Sequence, residues 1–266
     1  MSTQVALVFV LTFIIHLIST LAFALRIAGV RTGRVAVSLA LFNVLLLVSR
    51  TSNTFQGPLL AKHVERNILG GRAEGAEWDF RWLLLAATLA TLAGGLLIPT
   101  FQRLFTRAIG TFSVHRSVPR LLLRGVTPAG LRGLREASSI PAKENLTRLS
   151  FRGVPPRIVI YNVVSTSLIT VGVLASLYAG YLNPELRVTA NNMSPVINGL
   201  STILLFVYID PHLSILTDDV VGGRATEADF RRFVVLLVIG RLAGTLLAQL
   251  LLVPAAWVIV FVARHL

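Results

Sequence analysis

Hydrophobic residues along the chain fall into six long runs, and polar residues gather between them. The runs cover 4–25, 35–60, 81–101, 157–182, 194–216 and 231–262. Each holds close to twenty or more residues with little charge. An α-helix rising about 1.5 Å per residue needs that length to cross ~30 Å of hydrocarbon. None of the runs alternates apolar and polar residues at period two, as a barrel strand does. Helices satisfy their backbone hydrogen bonds within one segment, which lipid demands. The pattern therefore predicts an all-α polytopic membrane protein with six transmembrane helices. The sixth run is long enough to tilt or to continue along the interface. The first run begins at residue 4 with no Lys or Arg ahead of it and no small-x-small site behind it. It is too long for a signal-peptide core, so it is expected to be kept as a span.

Charge sets the expected orientation. Only 14% of the residues are charged, against about 25% in a soluble domain. The net charge of +13 would suggest nucleic acid in a soluble protein, but here it lies mostly in the connections, so no nucleic-acid partner is expected. One side of the predicted topology carries Arg26, Arg31 and Arg34, eleven basic residues from Arg103 to Arg157, and Arg224, Arg231 and Arg232, 17 in all. The other side carries seven: Arg50, Lys62, Arg66, Arg72, Arg81, Arg187 and Arg264. The positive-inside rule then predicts both termini outside and the central connection in the cytoplasm of a multi-pass protein of the bacterial inner membrane. Residues 102–156 read as a basic linker whose only acids are Glu136 and Glu144. Pro128, Pro141, Pro155 and Pro156 prevent one long helix there. The segment 131–137, "LRGLREA", either rests on the membrane against anionic lipids or is plain linker.

The flanking parts, 1–101 and 157–266, resemble each other. Asp79–Leu97 aligns without a gap to Asp229–Leu247, with eight identities in nineteen. "GGRA" occurs at Gly70–Ala73 and again at Gly222–Ala225. "GPLL" at Gly57–Leu60 can be set against "DPHL" at Asp210–Leu213, and Asn43 against Asn198. Leucine-rich helices match by chance, but "GGRA" and "DFR" lie in polar connections where that explanation fails. An odd number of spans per half inverts the second relative to the first. Two inverted three-helix repeats are expected, an architecture that many secondary transporters use with the substrate site near the midplane.

Polar residues at membrane depth are costly and face a cavity or a partner. Ser49–His63 concentrates them, with Arg50, Ser52, Asn53 and Gln56 ahead of Gly57-Pro58 and Lys62 behind. Pro58 is expected to break the helix there, and Arg50 and Lys62 to serve an anionic headgroup. The alternative is an ordinary interfacial helix end with a snorkelling Arg. In the second half Asp210, His212 and Asp218 stand where the first is basic. Asp210 is a candidate to pair with Arg50, to carry a proton, or merely to cap a helix before Pro211. Arg241, deep in the sixth run, needs a counter-charge or a water-filled cavity. Arg26, His16, Asn43, Asn162, Asn198 and Gln249 are weaker candidates, because a single polar residue in a span more often bonds a neighbouring helix. The small residues of "LAGG" and "LAGT" are expected to be close-packing sites.

Both lysines follow Ala, so no Walker A motif exists. There is no Cys, no H-E-x-x-H and no G-x-S-x-G, and the five His lack metal-ligand spacing. No cofactor, metal or enzymatic activity is expected. The stretch "RIAGVRTG" with "LFNVLLLVSRTSNTFQGPLLAKH" resembles the Amj (alternate to MurJ) family of bacterial lipid II flippases, over nearly the whole chain in length and span count. That resemblance implies transfer of undecaprenyl-pyrophosphate-linked peptidoglycan precursor, lipid II, from the cytoplasmic to the outer leaflet, with membrane lipids around the chain. A homo-oligomer is compatible with the sequence. Arg50, Ser52, Asn53, Gln56, Lys62, Arg26 and Arg241 are the residues chosen on physical grounds to meet the headgroup, and Asp210, His212 and Asp218 those for coupling or gating. Two other readings stand beside this one: a transporter of a different polyprenyl-linked saccharide or small solute, and a scaffold for cell-envelope enzymes.

Overall fold

A computed structural model describes residues 2–71, 75–115, 127, 133, 135–139 and 153–266. The first half contains α1 (Thr3–Thr32), α2 (Val35–Leu69) and α3 (Ala76–His115). The second contains α4 (Pro156–Leu182), then α5 (Arg187–Asn192), α6 (Ser194–Leu204) and α7 (Asp210–Val221), and finally α8 (Glu227–His265). A 3₁₀ turn at Pro184–Leu186 precedes α5, and a π segment at Leu205–Ile209 joins α6 to α7. Together, Pro184–Val221 makes one composite span, so six helical stretches among the described residues are long and apolar enough to cross a membrane. They match the six expected runs, and most extend past them into polar flanks.

Local chemistry explains several boundaries. Gly33, at φ 64°, takes the left-handed cap that closes α1, a conformation that favours glycine. Thr226 caps α8 through a reciprocal pair with Asp229. α3 does not stop near residue 101 but runs on to His115. Part of the linker docks on this extension. Ser139 N donates to Thr100 Oγ1 at 3.0 Å, Thr100 Oγ1 donates to Ser139 O at 3.1 Å, and Arg107 pairs with Glu136 at 3.7 Å. Of the "LRGLREA" segment, residues 131, 132 and 134 lie outside the described residues.

The expected break at Gly57-Pro58 does not occur, and α2 runs through it unbroken. Pro58 removes one backbone donor, but the chain around Gly57 is uncrowded, and membrane helices tolerate such a proline with small local adjustments. The discontinuity sits instead at the aligned position of the second half. There the π segment ends at Ile209, and Pro211 is the second residue of the helix that follows. The proline ring would meet the carbonyl of residue 207 in an α register, and one extra residue in the turn relieves that clash.

Both halves are packed alike. The first helix of each lies along the third, α1 on α3 and α4 on α8, and the middle span leans on the first. α3 and α8 join the halves. In the two matching segments the same faces are buried: Phe80, Leu83, Leu84 and Ala87 in one, Phe230, Phe233, Val234 and Leu237 in the other. The glycines of "LAGG" and "LAGT" are the expected close-packing sites. A Cβ on Gly94 would stand 2.7 Å from Thr20 Cβ, and one on Gly244 would stand 2.7 Å from Thr166 Cβ and from Val163 O. Small residues let membrane helices approach closely enough for dispersion contacts to hold them.

Gly244→Val is therefore expected to destabilise the protein by roughly 1–3 kcal/mol through overpacking against Val163 backbone. Gly57→Ala, in open space, should leave stability unchanged or raise it by about 0.5–1 kcal/mol. Thermal unfolding in detergent checks both, and equal midpoints for the two variants would sink the close-packing argument.

Candidate functional site

Polar side chains lie between the halves at three depths. At the end of the bundle nearest the linker, Arg26 Nη2 on α1 donates to Asp210 Oδ1 on α7 at 3.3 Å. The Arg26 guanidinium also stands 5.3 Å from the centre of the Phe42 ring, a favourable cation–π distance. Arg31 on α1 reaches Glu227 on α8 at 3.9 Å. Beside the Arg26 pair is a cavity of about 170 Å³ lined by Arg26, Val35, Ser38, Ser214, Thr217 and Asp218 among others. Asp210, for which Arg50 was one candidate partner, pairs instead with Arg26.

The reason lies in the turn of α2. Ser49, Ser52, Gln56, Leu60 and His63 are buried, at spacings of three, four, four and three, so they form one stripe. Gln56 Nε2 donates from this stripe to Thr12 Oγ1 on α1 at 3.0 Å. Arg50, Thr51, Asn53, Thr54 and Lys62 are exposed. The polar stretch therefore splits: Ser52 and Gln56 are buried, Gln56 against α1, and Arg50 and Asn53 are exposed.

Near the midplane, Thr12, His16 and Thr20 form a buried polar stripe on α1. Thr12 and Thr20 are satisfied by backbone carbonyls one turn earlier. His16 Nδ1 is buried without a partner among the described residues, and so is Nε of Arg241 on α8. The two side chains lie within coulombic reach of each other. Leaving a buried donor unpaired costs about 1–3 kcal/mol. On α4 the corresponding residue Asn162 has no such deficit, since its amide donates to Leu237 O at 2.6 Å.

The opposite end of the bundle holds a larger network. His63 Nε2 lies 2.8 Å from Asp79 Oδ2 and 3.1 Å from Asn67 Nδ2, and Asn67 Nδ2 also donates to Tyr181 OH at 3.1 Å. Tyr178 OH donates to Glu77 Oε2 at 3.4 Å, and Glu77 pairs with Arg81. Arg81 Nη1 donates to Gln249 O, and Gln249 Nε2 donates back to Arg81 O, both at 3.1 Å. Glu65 and Arg187 add an ion pair at 3.7 Å. Five of these contacts, one each to Tyr181, Tyr178 and Arg187 and two to Gln249, cross between the halves.

The remaining sequence candidates lie apart. His212 faces Phe233 and lines a separate cavity of about 260 Å³ with Arg157, Tyr161, Tyr208 and Pro211. Asp218 belongs to the cavity beside Arg26. Between α3 and α8 runs a largely apolar groove of about 240 Å³, with Gln102 and Arg231 among its few polar residues. Neither Arg50 nor Arg241 lines any of these cavities.

These polar groups sit between two like-packed halves of one six-span bundle, and comparison with known proteins places that bundle. The family described as "Alternate to MurJ", Amj, matches residues 11–263. This chain belongs to the Amj family. One similar relative is the protein named Lipid II flippase Amj from Bacillus subtilis (strain 168), 36% identical over 271 residues, which covers 99% of this chain and 98% of the relative. No solved structure matches. Within this Amj chain, sequence reasoning missed the network around His63 and Asp79. Two signals pointed to it. His63 and Asn67 are one turn apart, on one helix face. The repeated "DFR" is longer than it first reads, being E-x-D-F-R at Glu77–Arg81 and Glu227–Arg231. Both copies form the Glu–Arg pair, but Asp79 bonds His63 whereas Asp229 caps its helix.

Arg26→Ala and Asp210→Ala should each destabilise the protein, and the double variant should lose less than the sum, with a coupling of roughly 0.5–3 kcal/mol. A double-mutant cycle on detergent-solubilised protein reads this. Strict additivity would remove the pair as a link between the halves.

Proposed function

We propose that this protein is a lipid II flippase, moving an undecaprenyl-pyrophosphate-linked peptidoglycan precursor from the cytoplasmic to the outer leaflet. The observation that carries the reading is 36% identity across 99% of the chain to a protein named for that activity. The chemistry is compatible with it. A diphosphate and a large polar head cannot cross hydrocarbon without a prohibitive desolvation penalty. Polar groups between two helical halves lower that penalty while the polyprenyl tail remains among lipids, beside a groove such as that between α3 and α8.

The halves are inverted repeats in this reading, supported by their matched segments, their like packing and their paired glycine contacts. The basic linker faces the cytoplasm, as the charge distribution favours. The Arg26–Asp210 end is then cytoplasmic, and the network of His63, Asp79, Tyr178, Tyr181 and Gln249 closes the outer end. Transport requires the two ends to open in alternation. The headgroup enters beside Arg26, passes Arg241, and leaves once the outer contacts part. Arg50, Asn53 and Lys62 on the exposed face of α2 supply cationic and polar groups along the way, and Asp218 flanks the cytoplasmic entrance.

Wild-type protein should restore growth and lipid II externalisation in cells depleted of other flippases. Failure to do so would favour a different polyprenyl-linked cargo or a scaffold. The chain contains no Cys, so engineered pairs report cleanly. Gly180 lies against Val64 across the outer end, where a Cβ would stand 4.0 Å from Val64 Cγ1. Oxidising a Val64→Cys/Gly180→Cys pair should abolish externalisation, and reductant should restore it. Full transport by the oxidised pair would contradict outer-end opening.

A further inference from the structure

Away from the interface between the halves, α4 and the composite span meet in a pocket that belongs to the second half alone. The two run antiparallel: α4 leaves the linker end of the bundle, and α7 returns to it. Deeper in, Ser165 Oγ and Ser201 Oγ join them at 2.9 Å. Nearer the linker end they part around the cavity of about 260 Å³ lined by Arg157, Tyr161, Tyr208 and His212 among others. Each element brings the same two chemistries four residues apart, about one helical turn: Arg157 with Tyr161, and His212 with Tyr208. In both, the tyrosine is the deeper member. The tyrosine rings stand 4.8 Å apart, centre to centre, so they floor the pocket, and Arg157 and His212 lie above them toward the linker end. Tyr208 belongs to the π segment, a local form of helix that recurs at functional sites.

The donors of this pocket are open. Among the described residues, the Arg157 side chain makes no ion pair or hydrogen bond, and neither phenol nor the His212 imidazole hydrogen-bonds to protein. No carboxylate lines the cavity, and Asp210, two residues from His212, is paired with Arg26. A guanidinium, two phenols and an imidazole can all donate, and a guanidinium fits phosphate oxygens bidentately. The lining therefore suits an anion. Its border indicates what carries the anion. Ile160, Phe206 and Val207 adjoin the tyrosines in sequence and are exposed, as side chains that meet lipid tails are. A molecule with its charge above the tyrosines and apolar chains beside them is a phospholipid, whereas free phosphate would leave that apolar border unused. Basic pockets between helices on the cytoplasmic side hold anionic lipid heads by this chemistry.

We infer that Arg157, Tyr161, Tyr208 and His212 form a headgroup site for an anionic phospholipid of the surrounding leaflet, with its acyl chains along Ile160 and Phe206. The site goes beyond the flippase reading and does not rest on it. The first half contributes no residue to the lining, and the cargo path proposed above runs between the halves. The bound lipid ties α4 to α7 across the π segment, and so steadies the turn that carries Asp210.

The test uses the full chain in detergent, titrated with phosphatidylglycerol or with phosphatidylcholine of the same acyl chains, and counts retained lipids by native mass spectrometry. Wild-type protein should retain phosphatidylglycerol in preference to phosphatidylcholine. Arg157→Gln should weaken that retention about fivefold, the loss expected for one basic group at a lipid surface, and Arg157→Lys should recover part of it. Arg34→Gln removes the same charge from an exposed position at the start of α2, outside the cavity, and should retain the lipid as wild-type protein does. Unfolding midpoints identify any variant that has not folded. Tyr208→Phe, which deletes one donor and keeps the ring, then takes the place of Arg157→Gln and should also weaken retention. Equal retention of the two lipids by wild-type protein, or equal losses in Arg157→Gln and Arg34→Gln, would overturn the inference. Displacement of phosphatidylglycerol by equimolar undecaprenyl diphosphate, with both ligands lost in Arg157→Gln, would give the pocket to the cargo and overturn it as well. Failure of wild-type protein to externalise lipid II in cells would refute the flippase reading and leave this site standing.

Discussion

Hydrocarbon offers no hydrogen bonds, and a chain that crosses it six times has to set each polar side chain against another part of itself. Most of the polar groups here obey that constraint locally. Thr12, Thr20, Thr88, Thr91 and Thr170 return their hydroxyls to carbonyls one turn earlier in the same helix. Others obey it only by crossing between the halves. Arg26 needs Asp210, Asn67 needs Tyr181, and Arg81 and Gln249 need each other. Those contacts concentrate at the two ends of the bundle. Among the described residues, buried side-chain atoms without a partner remain on His16, Asn198, Arg231 and Arg241.

Close packing complements this arrangement. Lipid tails are as apolar as leucine, so helices in a membrane gain nothing from merely hiding hydrophobic area and depend on intimate contact instead. Gly94 against Thr20 and Gly244 against Thr166 provide that contact once in each half. The threonines lie in like contexts, "LIST" at 17–20 and "VVST" at 163–166. Each half is thus a tight α1–α3 or α4–α8 pair with a less firmly held middle span. A middle span that packs mainly on one neighbour moves at the expense of fewer contacts than the pair it leans on.

What could be read from the sequence follows this physics. Apolar runs gave the six spans because their length answers to membrane thickness. The like packing of the halves was foreshadowed by "DFR" and "GGRA", which sit where leucine-rich chance matches do not reach. The orientation of α2 was illegible. A polar cluster such as Ser49–Gln56 looks uniform along the chain, but a rotation of 100° per residue sends Ser52 and Gln56 into α1 and leaves Arg50 and Asn53 outside. The continuity of α2 through Pro58 was also hidden, since the local rule for proline is the same at Pro58 and Pro211. The outcome depended on what surrounded each.

The divergence between the halves is as informative as their likeness. Asp210 aligns with Gly57, and helix packing sets Arg26 of α1 against Gly172 of α4 when Thr20 is matched to Thr166. An exact duplicate would carry the acid twice and the Arg twice, and would pair them at both ends. Here the ion pair forms at one end only, and the corresponding space against Gly172 is taken by Asn198. The other end is held by tyrosine, amide and backbone contacts together with the Glu65–Arg187 pair. Water screens an exposed pair of that kind, whereas Arg26 and Asp210 are only 21% and 28% exposed. The two ends are therefore held by unequal electrostatics, which arise from charge placed differently on two like-packed halves.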